Sequence, residues 1–435
     1  MKLPKEGCNM KFKVLLKYRH SVVLLFLAGF VLQGRAIDVS QHDTLFISKP
    51  QLSWVAKAKY GFVLPTNNLV KGRSFDIPSL SWKYSKDWEV EKFLAYALEF
   101  HWTLKPDDWR AKAYRNPYLG VGFSGANYFD ERLGYPWTLY MIYGGRFARI
   151  TPWLTFNGEL NLGYSTNWNH YDRFDNQDNV AVGWKNNIYV SLDLYLRFLL
   201  SKHWDAKVGF SFDHFSNGAT RMPNRGINML TPILTLGYRI QDTEEVLRNS
   251  VPFIKQRQKY RLDHEVWAML SVKQIYYDGT NTQLTSQYVD YRYRVFALSY
   301  AALLTRSYKY KYGLSLDFLY DESVGAKADY ILNSFDNKYY EHVTLGERKE
   351  RFSLGVSLKG EIVLPYFSVY ANMGYDILHK DEKQPRFYQM IGVKIEPVGT
   401  YFATMGIRST YFTKAQFITW GVGYTFRGRE LLGKE

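Results

Sequence analysis

From about residue 53 the chain alternates between polar and apolar side chains at every second position, in segments of roughly 8 to 15 residues. Tyr189, Ser191, Asp193 and Tyr195 share one parity, and Val190, Leu192, Leu194 and Leu196 share the other. Between Phe352 and Ile362, Leu354, Val356 and Leu358 alternate in the same way with Ser353, Gly355 and Ser357. A two-residue period puts successive side chains on opposite faces of a strand. Beyond the N-terminus no apolar run approaches the ~20 residues that a membrane helix needs. The pattern predicts strands at 53–63, 89–102, 117–124, 138–149, 152–164, 188–200, 203–216 and 229–240. It predicts a second set at 263–276, 290–304, 309–321, 350–363, 366–377, 387–396, 401–411 and 417–427.

Long polar connections, such as Ser165 to Asn187 and Glu322 to Lys349, mostly alternate with very short ones, such as Thr151-Pro152 and Leu364-Pro365. Outer-membrane barrels show this asymmetry, with long external loops and tight periplasmic turns, whereas a soluble sandwich has no reason to keep it. The 36 Tyr, 28 Phe and 12 Trp suit the interfacial girdles of such a barrel. The stretch Lys105 to Asn116 is too long for a periplasmic turn on this register. The expected fold is all-β: a transmembrane antiparallel barrel, one barrel of 12 to 16 strands, with two eight-stranded barrels in tandem as the alternative. The charged segment 241–262 divides the strands into a first half, 37–240, and a second, 263–435, as a linker would. Each half closes on a similar phrase, Leu236-Gly237-Tyr238-Arg239-Ile240 and Val422-Gly423-Tyr424-Thr425-Phe426.

The N-terminus reads as a secretory signal peptide over 1–36. Six basic residues precede the apolar run Val22 to Leu32, and Gly34-Arg35-Ala36 offers small residues for cleavage. Cleavage there removes seven basic residues and Glu6, so the formal charge falls from +15 to +9. It also removes Cys8, the only cysteine, which excludes disulfides and thiolate metal sites from the mature chain. An exported basic chain faces anionic lipid or polysaccharide, so no nucleic-acid partner is expected. His42, His101, His170, His203, His264, His342 and His379 are scattered without metal-ligand spacing, and no metal site is expected.

The segment Asp213-His214-Phe215-Ser216-Asn217-Gly218, followed by Pro223-Asn224-Arg225-Gly226-Ile227-Asn228, carries the candidate chemistry. A serine hydroxyl needs a neighbouring base to become a nucleophile, and residues two apart on a strand share a face. His214 and Ser216 meet that requirement, and Asn228, where the chain resumes as a strand, is placed to orient the imidazole. Counting by twos from Ser216 gives His214, Phe212, Phe210, Val208 and Ala206. From Asn228 the count gives Leu230, Pro232, Leu234, Leu236 and Tyr238. All three candidates therefore lie on apolar faces, which in a barrel touch lipid. Polar groups there are costly unless they bond one another.

The stretch His214 to Ile240, with its H-F-S-N-G and P-N-x-G phrases, resembles the outer-membrane lipid A 3-O-deacylases over about 30 residues. The resemblance implies that His214 is the base and Ser216 the nucleophile, and that Asn217, Gly218 and Asn224 help form an oxyanion hole. The third member in that family is a Glu, and Asn228 stands in its place. The same phrase is similar to outer-membrane phospholipase A, where an Asn holds the third position. The Arg which that family has directly after the Gly is here Ala219, which weakens its calcium site. The implied activity is hydrolysis of an acyl ester of lipid A in the bacterial outer membrane, reached by export through the inner membrane, without a cofactor. The alternatives are a phospholipase using Ca2+, and a non-catalytic barrel or channel with a decayed site. The implied partner is lipid A, lipopolysaccharide or phospholipid of the outer leaflet, and a homodimer is compatible with this reading.

Overall fold

In the computed structural model, residues 50–431 are described except 65–89, 91, 106–107, 173–174, 177–178, 242–259, 277–287, 381–383, 399 and 413. The expected signal peptide and nearly all of the expected linker lie outside the described residues. Eight strands of the first half close on themselves: β1 (Leu52–Val63), β2 (Lys92–Thr103), β3 (Tyr118–Asn127), β4 (Gly134–Thr151), β5 (Leu154–Trp168), β6 (Asn187–Leu199), β7 (Trp204–Ser216) and β8 (Ile227–Arg239). Each pairs antiparallel with its neighbour, and β8 returns to β1, with Ser53 opposite Arg239 and Val63 opposite Met229.

A second closed ring contains β9 (Tyr260–Lys273), β10 (Tyr293–Thr305), β11 (Tyr310–Asp321), β14 (Phe352–Val363), β15 (Phe367–Leu378), β16 (Phe387–Val398), β17 (Tyr401–Thr410) and β18 (Lys414–Phe426). It closes where β9 pairs with both β10 and β18. A short β19 (Glu430–Leu431) extends the pairing along β9. Between β11 and β14, β12 (Lys327–Asn333) and β13 (Lys338–Thr344) form a separate hairpin.

The expectation of one barrel of 12 to 16 strands is thereby corrected to two eight-stranded barrels in tandem. The reason lies in what the inward faces carry. In the first barrel Lys57 bonds Glu159 at 2.6 Å and Asp193 at 2.9 Å, and pairs with Glu99 at 2.7 Å. Lys59 reaches Asp213 at 2.7 Å, and Lys207 lies 3.3 Å from Glu159. In the second barrel Lys394 reaches Glu265 and Glu361 at 2.7 Å, while Lys359 holds Glu265 at 3.0 Å. These side chains are almost wholly buried, and a buried charge is tolerated only when paired. Eight strands bring opposite walls close enough for such contacts, whereas 16 leave an aqueous channel. Each half thus carries charges that pair within its own lumen.

The outward faces are apolar and exposed, as at Met141 (65%), Phe210 (62%) and Leu234 (61%). Trp54, Trp153, Trp204 and Tyr238 are exposed toward the short-turn end of the first barrel, the place of an interfacial girdle. No described helix is long and apolar enough to cross a membrane.

The over-long connection 105–116 contains α1 (Trp109–Ala113). Asp108 caps it by accepting from the Arg110 N–H at 2.8 Å. The helix docks on the second barrel: Arg110 donates to the Pro365 carbonyl, and the Tyr114 hydroxyl lies 2.8 Å from the Val363 carbonyl and 3.0 Å from that of Tyr308. Above it on β4, Tyr143 is outward-facing yet buried, because its ring packs edge-on against Phe367. The excess length of this connection is therefore used to join the barrels.

Candidate active site on the outer wall

On β7 the inward parity holds Lys207, Ser211, Asp213 and Phe215, all buried. The outward parity holds the exposed Val208 and Phe210 and then His214, which is half-buried. Pairing places His214 directly opposite Asn228 on β8 and beside Val190 on β6, and Ser216 beside Ile188. His214 and Asn228 thus meet at the long-loop rim of a lipid-facing wall, with Ser216 two positions further along β7.

The His214 Nδ1 lies 2.7 Å from the Asn228 Oδ1. An amide oxygen only accepts, so this contact places the proton on Nδ1 and leaves Nε2 as the basic nitrogen. Ser216 ends β7 and is covered by the following turn. Its Oγ accepts from the Gly218 N–H at 3.1 Å and from the Asn224 Nδ2 at 3.0 Å. The Asn217 N–H instead donates to the Asn224 Oδ1 at 2.9 Å, and the Asn217 Oδ1 accepts from the Arg221 N–H. Of the three residues expected to supply oxyanion donors, Gly218 and Asn224 aim N–H groups at Ser216, whereas Asn217 shapes the turn.

Gly226, the glycine of the P-N-x-G phrase, also borders the site. It has φ of +70°, and a Cβ there would lie 3.0 Å from the His214 Cε1 and 3.5 Å from the Ser216 Cβ. The absence of a side chain lets the backbone lie against both residues, and it bounds the separation of those two atoms at about 6.5 Å. The Gly226 N–H donates to the Ala181 carbonyl at 3.1 Å, so the β5–β6 loop braces the site from one side. Only the glycine itself signals this arrangement in the sequence.

Residues 94–239 match the family described as "Lipid A 3-O-deacylase (PagL)", and residues 262–428 match "Acyloxyacyl hydrolase, C-terminal domain". Together they span well over half of the chain. The chain belongs to the lipid A 3-O-deacylase family. It is accordingly an outer-membrane acyl-ester hydrolase acting on lipid A. No curated protein matches the chain. Among solved structures, the outer membrane enzyme PagL shares 15% identity over 42% of this chain and 97% of its own, with a TM-score of 0.26. The siderophore receptor PirA from Pseudomonas aeruginosa shares 9% over 88% and 81%, with a TM-score of 0.22. The COG4313 outer membrane channel from Pseudomonas putida F1 shares 9% over 89% and 100%, with a TM-score of 0.20. At such scores the assignment to the deacylase family rests on the two family matches.

One further cluster departs from the sequence reading. His101, counted among the scattered histidines, comes together with Glu99 and Glu159 inside the first barrel. Lys57 pairs with both carboxylates and Lys207 with Glu159, so cations of the chain itself already compensate this cluster in part.

Proposed function

We propose that Ser216 is the nucleophile and His214 the general base in hydrolysis of the 3-O-acyl ester of lipid A. Nε2 of His214 takes the Ser216 proton as Oγ attacks the acyl carbonyl carbon. Asn228 holds the Nδ1–H and stabilises the imidazolium that forms. The carbonyl oxygen becomes an oxyanion beside Oγ, where the Gly218 N–H and the Asn224 Nδ2 already converge. Collapse expels the sugar hydroxyl, which takes the proton from His214, and water then releases the fatty acid from Ser216. The observation that carries this reading is the 2.7 Å His214–Asn228 bond on a lipid-facing wall, with two N–H donors on the adjacent Ser216.

The proposed chemistry uses side chains of this chain alone and one copy of it, with the acyl-ester lipid meeting the site from the outer leaflet. Export by a cleaved signal ending at Ala36 accounts for its arrival, and N-terminal sequencing of the mature protein checks that step. The test of the chemistry is fatty-acid release from lipid A in detergent by purified Ser216→Ala and His214→Ala proteins. Release at the native rate by both ends the proposal. Release from phosphatidylethanolamine that a chelator abolishes would favour a calcium phospholipase instead. Sedimentation in detergent separates a working monomer from a homodimer.

A further inference from the structure

The turn that carries the proposed oxyanion donors is held by the second barrel. Gln274 follows β9 directly and is 5% exposed. Its backbone N–H donates to the Ala219 carbonyl at 3.0 Å, and its Oε1 accepts from the Met222 N–H at 2.8 Å. Its Nε2 donates to the Asp290 carbonyl at 2.9 Å, which ties the same side chain to the loop after β9. One buried residue thus grips the turn at two points within four residues of Gly218.

The second grip is steric. Ile418 lies on the outward face of β18, where Trp420 and Val422 below it are exposed at 55% and 68%, yet Ile418 is 9% exposed. What covers it is Gly218: a Cβ there would collide with the Ile418 Cγ1 and lie 2.6 Å from its Cδ1. Gly218 has φ of +58° and Ala219 φ of +65°, a local backbone that ordinary residues seldom hold unaided. The Ser271 hydroxyl on β9 donates to the Ile418 carbonyl, which fixes the strand that supplies the contact.

We propose that Gln274 and Ile418 are positioning residues that clamp the 217–222 turn, so that the second barrel keeps the Gly218 N–H and Asn224 aimed at the oxyanion. This rests on the reading of Ser216 and its donors given above. It assigns the second half of the chain a part in catalysis, although it contributes no reacting group. Donors that must be in place before charge develops lose their effect when their backbone wanders, so loosening shows in kcat before KM.

The experiment uses the full chain in detergent, with folding checked by heat-modifiable gel mobility. Gln274→Ala and Ile418→Ala should each lower kcat about tenfold with KM within twofold. Gln274→Glu keeps an acceptor for Met222 but gives up the donation to the Asp290 carbonyl, and should recover only part of the loss. Trypsin provides a readout independent of the lipid, since Arg221 and Arg225 lie within and just beyond the turn. Cleavage there should speed up severalfold in Gln274→Ala and return toward the native rate in Gln274→Glu. Folded Gln274→Ala and Ile418→Ala proteins with native kcat and native cleavage would overturn the proposal. If Ser216→Ala remains active, the assignment of the nucleophile fails. If Ser216→Ala is dead while the clamp variants are fully active, only the clamp fails.

Discussion

Asn228 gives the sharpest test of the outer-wall site. Its Oδ1 accepts from the His214 Nδ1–H at 2.7 Å, and on the proposed mechanism the bond gains strength when the Ser216 proton reaches the ring and makes it a cation. A hydrogen bond to a charged partner is worth about 1.5–3 kcal/mol, so Asn228→Ala should lower kcat roughly 10- to 150-fold. Asn228→Asp works in the opposite direction. A carboxylate ~4 Å from the imidazolium charge gains at most about 4 kcal/mol at an effective dielectric of ~20. Removing that carboxylate from water at a lipid-facing wall takes back most of the gain. A net gain of about 1 kcal/mol corresponds to roughly fivefold in kcat. The assay is the initial rate of fatty-acid release from lipid A micelles, quantified by mass spectrometry. An Ala variant within twofold of the native enzyme would refute Asn228 as the orienting residue.

Three other perturbations probe the frame around the site. Gly226→Ala adds a methyl 3.0 Å from the His214 Cε1 at a φ of +70°, and kcat should drop at least tenfold while the heat-modifiable gel shift stays native. Lys394→Met leaves Glu265 and Glu361 less compensated inside the second barrel, and should cost about 3–5 kcal/mol in urea unfolding monitored by tryptophan fluorescence. Lys309, in the short β10–β11 turn beside Tyr114, has its pKa lowered to about 8 by burial and by Arg115. Because its folded pKa lies below the ordinary 10.5, this group favours folding fully above 10.5, and that contribution is lost as pH falls through 8. With part of the group in solvent, the effect is about 1–2 kcal/mol. Lys309→Met should raise thermal stability at pH 7 and remove the rise between pH 8 and 10.5 seen by calorimetry.

Much of the site was legible because strand parity is a local property. Phe210, Phe212, His214 and Ser216 had to share a parity, and Asn228 entered on the apolar parity of the next strand, so the His214–Asn228 contact required only that β7 pair with β8 in the register observed. The number of barrels was not legible in the same way. A strand with one apolar and one polar face looks alike in a ring of 8 or 16, and the pairing of β8 with β1 joins residues nearly 190 positions apart. Inward polar residues such as Lys57, Glu159 and Asp193 were visible, but their contacts across the lumen were not. The β12–β13 hairpin is not legible in the sequence because its strands are only seven residues each and carry Lys327, Asp329, Lys338 and Glu341 within a long polar connection. The helix α1 spans a little over one turn, too short for a 3.6-residue period to register, and its Asp108 cap was the only cue. Gln274 and Ile418 carried no motif, since their part is set by a contact between the two halves.

The resemblance to the deacylases implies that Asn228 stands where they carry a Glu, and an amide suits a site on this wall. A carboxylate among Val190, Leu230 and the lipid would be charged in the resting enzyme and poorly solvated, whereas an amide is neutral until catalysis begins. On the proposed mechanism charge then appears only as the proton crosses from Ser216 to His214. The amide holds that charge less tightly than a carboxylate, so more of the transition-state stabilisation falls on the Gly218 and Asn224 donors. The Gly218 donor sits on a turn with two consecutive positive φ angles, with Asn224 just beyond it, and such a turn delivers its full effect only if something rigid restrains it. A barrel whose lumen is locked by Lys394, Glu265 and Glu361 is a rigid body of that kind, and its rim meets the turn at Gln274 and Ile418. A weaker third residue and a second barrel are then two parts of one arrangement. Restoring a carboxylate at position 228 should make the enzyme less sensitive to Gln274→Ala, a coupling that a double-mutant cycle on kcat measures directly.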